Sequence, residues 1–218
     1  MFPLSSVIYF ELAAFLVGVL TYSRLKGTAL RLFPFFLLFI VLVELTGRYI
    51  RTVLHQYNNW LYNISTTLEF IYYAYIFEKY FKNERYKKIA ARFMLFYPVV
   101  VLVNLTFIQG FTKFHSYTMV LGSFFMLVLC CLFFYEVLLT PLELELYRVP
   151  MFWISTGIFF FYLGDLSYDL CYNLLVKYAL DTGRKLFTTI NNNLILVLYS
   201  CFIIAFLCKR NPPRSLSQ

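Results

Sequence analysis

The 218-residue chain is 61% hydrophobic and 22% aromatic, and only 14% of its residues are charged. Soluble domains are about 45–50% apolar and about 25% charged, so this composition excludes an ordinary soluble domain and predicts an all-α, polytopic integral membrane protein. The net charge of +8 would favour nucleic-acid binding in a soluble chain, but here the cations lie in short segments between apolar runs. Membrane topology and anionic lipid headgroups explain them better, and no nucleic-acid partner is expected.

Seven apolar runs are long enough to cross a lipid bilayer, which takes about 20 helical residues. The predicted spans are 3–22, 29–47, 60–77, 89–108, 117–139, 150–175 and 187–208. Residues 1–208 are therefore expected to form a single seven-helix bundle, followed by a short basic tail at 209–218. No polar block reaches the roughly 50 residues that a further domain would need.

The distribution of lysine and arginine predicts the orientation of the bundle. Of the 19 Lys and Arg residues, 13 fall in the tail or in the loops after spans one, three and five, and the other six fall in the loops on the opposite side. Because cytoplasmic loops carry the excess of positive charge, we expect the N-terminus outside and the C-terminus in the cytoplasm. The sequence contains no organelle-targeting signal, which favours a multi-pass protein of the cell membrane.

The sixth span contains the segment that bears most directly on function, residues 158–173. Within an aromatic, apolar run it carries Asp165 and Asp169 one helical turn apart, and Asn173 one turn further on. At 3.6 residues per turn these side chains share one face of the helix. A charged side chain near the bilayer centre costs about 2.5–3.5 kcal/mol. Two carboxylates on the same face therefore predict that the face has a function.

Strongly polar residues in other predicted spans lie in the outer half of the bilayer. Their depths follow from the predicted orientation and a rise of about 1.5 Å per residue. They are Glu11 in span one, Glu44 and Arg48 near the outer end of span two, Asn63 in the outer part of span three with Glu69 near its middle, and Asn192 in the first turns of span seven. Lipid cannot satisfy such groups, so together with the polar face of span six they predict an outward-facing acidic pocket for a small, cationic ligand. Aromatic side chains would close this pocket on the cytoplasmic side.

Several of these residues also have a purely structural interpretation. Glu44 and Arg48 are four residues apart and can pair on the helix surface, asparagines can join helices, and Glu11 can accept a hydrogen bond from a tyrosine. Tyrosines in the same spans either pack and anchor the helices or form an aromatic box for an amine. These tyrosines are Tyr9, Tyr62, Tyr72, Tyr73, Tyr162, Tyr168, Tyr172 and Tyr199.

A seven-helix bundle with an outward polar pocket and basic cytoplasmic loops resembles the small seven-helix sensor modules of bacterial membranes. The resemblance rests on helix number and topology, and it implies a receptor-like binding protein. In this interpretation the basic segment 78–92 is a surface for anionic lipid or for a cytoplasmic signalling partner; alternatively, it only sets the topology. No cofactor is expected, and span seven lacks the lysine that a retinal Schiff base needs.

Two other functions are compatible with intramembrane acids. Such acids are common in proton- or cation-coupled transporters. In addition, the segment Gly157-xxx-Phe161-xx-Gly164-Asp165 is similar to a motif of the lysoplasmalogenase-like family of membrane proteins. This resemblance implies a lipid hydrolase that uses two intramembrane carboxyl groups. Asp165 would be one of them, and Glu69 would replace the other, because spans one to five lack the family's second Gly-Asp motif.

The sequence gives little indication of metal or nucleophilic chemistry. Its five cysteines lie in apolar segments without a CxxC pair, and we expect them to be buried as small apolar residues. The two histidines, His55 and His115, are predicted in outer loops, and there is no GxSxG motif. We therefore predict neither a metal site nor a Ser/His/Asp catalytic set.

Overall fold

A computed structural model describes residues 6–25, 27–139, 146–178, 180–181 and 185–208. This part of the chain is helical and contains no strand. Its α-helices are α1 (Ser6–Leu20), α2 (Tyr22–Leu25), α3 (Phe33–Thr52), α4 (Asn59–Tyr80), α5 (Glu84–Val103), α6 (Ser116–Leu139), α7 (Pro150–Lys177) and α8 (Lys185–Leu207). Each predicted span overlaps one of the seven longer helices, and α2 adds a single turn after α1. The predicted tail at 209–218 lies outside the described residues.

Side chains that cap the first turns explain where two of the helices begin. Asn83 precedes α5, and its side chain accepts a hydrogen bond of 2.9 Å from the backbone N–H of Arg85. Asp181 caps α8, because its carboxylate accepts bonds of 2.7 and 3.1 Å from the N–H groups of Leu186 and Phe187. Such caps satisfy N–H groups that have no partner within the helix.

Helix α3 extends further than the second predicted span. It continues to Thr52, whereas the span was predicted to end at 47. The last turns of α3 carry Arg48 and Arg51, whose long side chains can keep their apolar stems in the membrane while the charged groups reach its surface. Charged residues therefore mark the edge of the apolar segment without ending the helix.

In the described part of the chain, four helical segments are long and apolar enough, by length and composition, to cross a membrane. They are Ala29–Thr52, Glu84–Ile108, Ser116–Leu139 and Lys185–Leu207. Large apolar side chains also lie on the outside of the bundle: Leu20, Phe107 and Leu138 are 82%, 84% and 70% exposed. Soluble proteins rarely expose large contiguous apolar surfaces, so the structure supports a membrane protein.

Helix packing brings residues of the seven longer helices into a common interior. Helix α1 lies between α3 and α8, α7 lies between α6 and α8, and α4 packs against α3, α5 and α6. Phe33 of α3 is 4.9 Å from Phe202 of α8, measured between ring centroids, and Phe70 of α4 stacks on Tyr162 of α7 at 5.1 Å. The polar residues of α1, α3, α4 and α7 lie around this aromatic interior.

Candidate functional site

Five carboxyl groups from four helices form a connected group, which we call the acidic cluster. It consists of Glu11 of α1, Glu44 of α3, Glu69 of α4, and Asp165 and Asp169 of α7. Glu11 interacts electrostatically with Glu44 and Glu69. Glu69 in turn interacts with Asp165, and Asp165 with Asp169. Successive members of the cluster thus lie within electrostatic range of one another, while their role in ligand binding stays a prediction.

Glu44 is an acid of the cluster with a cationic partner at short range. Arg48 Nε lies 3.2 Å from Glu44 Oε1, and Tyr62 Oη donates a hydrogen bond of 3.0 Å to Glu44 Oε2. Tyr62 can approach so closely because the adjacent α3 residue is Gly47, where an added Cβ would lie 2.7 Å from the Tyr62 hydroxyl. The ion pair between residues four apart, predicted as the structural interpretation of Glu44 and Arg48, is confirmed.

Glu11 has the lowest solvent exposure of the described members of the acidic cluster. It is 5% exposed, and within the described residues its Oε2 atom has no hydrogen-bond partner. Its electrostatic neighbours are Glu44, Glu69 and Arg48. The tyrosine hydrogen bond suggested by the sequence therefore does not satisfy this oxygen. A buried polar atom left without a partner costs about 1–3 kcal/mol, so Oε2 is a position where a ligand that donates a hydrogen bond would be favoured.

Glu69 receives its hydrogen bonds from neutral groups. Tyr162 Oη donates a hydrogen bond of 3.4 Å to Glu69 Oε1, and the hydroxyl group of Tyr73 lies close enough to interact with Glu69. Tyr73 lies one turn after Glu69 on α4, and Tyr62 lies two turns before it, so all three share one helix face. Tyr73 and Tyr162 are only 2% and 1% exposed. Glu69 thus lies between aromatic rings, and no ion pair involves it among the described residues.

Asp165 is positioned by the close packing of α6, α7 and α8. Ser123 of α6 donates a hydrogen bond of 3.3 Å to Asp165 Oδ2. The neighbouring Gly164 packs against α8 so tightly that an added Cβ would lie 2.5 Å from Leu194 Cδ1. Asp169 follows one turn later and interacts electrostatically with Asp165. Like Glu69, Asp165 has no ion pair within the described part of the chain.

Four of the tyrosines considered for an aromatic box border the acidic cluster. Tyr199 of α8, which is 6% exposed, interacts electrostatically with Glu11, Glu44 and Glu69. Others lie elsewhere, since Tyr9 is 58% exposed and Tyr168 donates a hydrogen bond of 2.7 Å to Asp181. Tyr172 has a side chain outside the described part of the structure. The bordering tyrosines are Tyr62, Tyr73, Tyr162 and Tyr199.

The three asparagines predicted at the site have different surroundings. The Asn63 amide donates a hydrogen bond of 2.9 Å to the Lys113 carbonyl and accepts one of 3.1 Å from the His115 N–H, so both its ends hold the α5–α6 connection. Asn192 is partly buried and lies seven residues before Tyr199, on the same face of α8. The side chain of Asn173 lies outside the described part of the structure. Ligand binding by Asn192 and Asn173 stays a prediction, whereas the two bonds of Asn63 favour its structural interpretation.

A second buried polar group, which the sequence did not indicate, joins α4, α5 and α6. We call it the loop clasp; its residues are Asn63, Asn104, Gln109, His115 and Thr118. His115 is fully buried, its Nδ1 lies 2.5 Å from Thr118 Oγ1, and burial lowers the pKa of its imidazole to about 4. Asn104 Nδ2 donates a hydrogen bond of 2.7 Å to Gln109 Oε1. The prediction of an outer loop for His115 missed this burial, which no local sequence pattern indicates.

The chemistry of the remaining candidate residues is limited. Within the described residues, no group of three or more His, Cys, Asp and Glu side chains is arranged to hold a metal ion. All five cysteines are free, and Cys131 and Cys171 are exposed. The expectation that all five are buried is therefore wrong for these two, which lie on outward-facing helix surfaces.

No protein-family model, curated protein or solved structure matches the chain.

Proposed function

We propose that this chain is a seven-helix protein of the cell membrane that binds a small organic cation at the acidic cluster, in the manner of a receptor or sensor. The observation that carries the proposal is the buried Glu11 Oε2, which has no hydrogen-bond partner among the described residues although it lies among other carboxyl groups. An ammonium group would supply both the missing donor and the missing positive charge.

The lining of the cluster favours an organic ammonium ion over a bare metal ion. The rings of Tyr62, Tyr73, Tyr162 and Tyr199 border the acids. Aromatic faces attract ammonium groups through cation–π interactions worth about 0.5–2 kcal/mol each. Glu11, Glu69 and Asp165 have no ion pair in the described part of the chain, so a cationic ligand would not have to displace an internal cation from them.

Helix packing supports seven membrane spans, and the position of the acidic cluster along its helices supports a site that faces the outside. Helices α1, α4 and α7 pack against the four apolar segments of membrane-spanning length, which supports a membrane location for all of them. Glu11 lies in the first half of α1 and Glu44 lies in the second half of α3. Both positions belong to the end of the bundle that the positive-inside rule assigns to the outside.

A matched pair of probe cations tests this proposal. Trimethylammonium carries one N–H donor, and tetramethylammonium carries the same charge without a donor. We expect both to raise the melting temperature of the protein in lipid nanodiscs, with the larger effect from trimethylammonium because it can bond to Glu11 Oε2. In Glu11→Gln the preference for trimethylammonium should disappear, whereas Glu78→Gln, which changes an acid in the last turn of α4, should behave as wild type. Equal responses in all three proteins, or no response to either cation, would contradict the proposal.

A second candidate function is a lipid hydrolase of the lysoplasmalogenase-like type, with Asp165 and Glu69 as its carboxyl groups. The electrostatic interaction between these residues across α4 and α7 favours it, because two carboxyl groups in different environments can act as acid and base. Hydrolysis of a lysolipid that is lost in Asp165→Asn would support this function over binding alone.

Proton- or cation-coupled transport is the third candidate, and the row of carboxyl groups from Glu11 through Glu69 to Asp169 favours it. Its signature would be proton or cation flux into liposomes that is lost in Glu69→Gln. If the protein binds cations but neither transports them across the membrane nor hydrolyses lysolipid, these results support the sensor-type function.

A further inference from the structure

One face of α5 carries three cations that point away from the protein. Arg85, Lys88 and Arg92 are spaced three and four residues apart, so they share one side of the helix, and all three are exposed. The opposite side is buried, since Ala90 is fully buried and Phe93 is 5% exposed. We call these three cations the basic face.

The acidic residues near the basic face already have partners. Glu84 lies 2.6 Å from Lys87, and Glu78 lies 2.9 Å from Lys79. Within the described residues, no salt bridge involves any of the three cations of the basic face. Their charges are therefore balanced by no carboxylate at contact distance, which leaves a surface complementary to an anion.

The helix that carries the basic face is rigidly held at its start. The Glu136 carboxylate of α6 accepts hydrogen bonds of 3.0 Å from the backbone N–H of Lys82 and 2.6 Å from that of Asn83. Phe81 is 2% exposed and stacks on Phe77 at 5.8 Å between ring centroids. Since the N–H groups of Lys82 and Asn83 are satisfied internally, the cationic side chains are the groups of this segment that are best placed to bind an external anion.

The basic face continues directly into an exposed apolar surface. On the following turns of α5, Leu95, Phe96 and Val99 are 68%, 61% and 56% exposed. Arg92 and Leu95 are three residues apart, which is about 4.5 Å along the helix axis. The segment Glu84–Ile108 is one of those long and apolar enough to span a membrane. The three cations are thus placed where this segment leaves the hydrocarbon and enters the headgroup layer.

We propose that the basic face binds the phosphate headgroup of an anionic lipid, whose acyl chains lie along the apolar surface of α5. Guanidinium groups bind phosphate oxygens in pairs, and both arginines of the face can do so at this depth. A soluble protein partner would leave Leu95, Phe96 and Val99 uncovered, whereas a lipid covers the cations and the apolar side chains together. The cytoplasmic leaflet, where anionic lipids concentrate, is also the side that the distribution of Lys and Arg assigns to this end of α5.

Retention of lipid by the purified protein tests this site. We expect native mass spectrometry to show phosphatidylglycerol bound in preference to phosphatidylcholine from an equimolar mixture. Each cation near an anionic surface contributes about fivefold in affinity, so Arg85→Gln, Lys88→Gln and Arg92→Gln together should weaken phosphatidylglycerol binding roughly a hundredfold. A charge-matched control, Arg51→Gln with Lys113→Gln and Lys185→Gln at the other end of the bundle, should bind phosphatidylglycerol as wild type does.

Two further controls separate the loss of positive charge from the loss of the arginine side chains and from misfolding. Arg85→Lys with Arg92→Lys keeps the charge and should retain most of the lipid preference, and all variants should melt at the same temperature in phosphatidylcholine. The same preference for phosphatidylglycerol in wild type and in the triple variant would overturn the proposal. So would equal losses in the triple variant and in the control, because the effect would then come from net charge alone.

Discussion

The acidic cluster and the loop clasp are both polar groups within an apolar bundle, but they are built differently. In the clasp, the neutral amide of Asn63 bonds to two backbone groups of a neighbouring loop. In the acidic cluster, Glu11 and Glu69 interact with further carboxyl groups, and the described residues offer them no salt bridge. Buried polar groups that pair within the protein stabilise it, whereas unpaired ones favour an external partner. The clasp also contains two buried atoms without a partner among the described residues, Asn104 Oδ1 and His115 Nε2, but both belong to neutral groups. We therefore expect the bonds of Asn63 to determine stability and the acidic side chains of the cluster to determine binding.

The largest expected effect on stability comes from the clasp. Asn63→Ala leaves the Lys113 carbonyl and the His115 N–H without their partner, which should lower the free energy of unfolding by about 2–4 kcal/mol. Chemical denaturation in detergent micelles measures this. Asn193→Ala, which removes a bond of Asn193 to Thr189 within α8 at an exposed position, should change it by less than about 0.5 kcal/mol. Equal losses in the two variants would contradict the structural role of the clasp.

A change of pH should also affect the clasp. The pKa of His115 is lowered by burial to about 4, so the unfolded chain takes up a proton below about pH 6.5 while the folded protein resists it until about pH 4. Stability should therefore fall as the pH is lowered through this window, by up to about 2 kcal/mol between pH 6.5 and 5. In His115→Gln this part of the pH dependence should vanish, and in His55→Gln it should persist.

The sequence was informative where a local pattern decides the structure. Long apolar runs predict the helices, and a spacing of four predicts the Glu44–Arg48 pair. The clasp could not be predicted, because Asn63 and His115 are 52 residues apart in the chain, and no periodicity connects them. The hydrogen bond between Tyr162 and Glu69 could not be predicted either, since Tyr162 lies 93 residues further along the chain. Such contacts depend on which helices are neighbours, and one sequence does not specify that.

In the acidic cluster, removal of a charge should separate stability from binding. Glu11→Gln replaces a buried carboxyl by a neutral amide of the same shape, so we expect the free energy of unfolding to stay the same or rise by about 1 kcal/mol. Affinity for trimethylammonium should nevertheless fall at least about tenfold, which corresponds to 1.4 kcal/mol. A variant that loses stability and binding in parallel would show that Glu11 is a structural residue.

The smallest expected effect distinguishes the ring of Tyr162 from its hydroxyl group. Tyr162→Phe removes a long hydrogen bond to Glu69 but keeps the aromatic face, and it should cost about 0.5 kcal/mol of stability. Affinity for tetramethylammonium should change less than about twofold, since the cation–π contribution remains. Tyr162→Leu, measured by the same titration, should weaken binding clearly. Equal affinities in the two variants would exclude the ring from the binding site.

The most direct test of the central claim is calorimetric titration of trimethylammonium into nanodiscs that contain wild type, Glu11→Gln or Asn63→Ala. We expect one saturable site in wild type, an affinity at least about tenfold lower in Glu11→Gln, and an unchanged affinity in folded Asn63→Ala despite its reduced stability. If binding is absent from wild type, or if it is lost in Asn63→Ala and kept in Glu11→Gln, then the acidic cluster is not the ligand site.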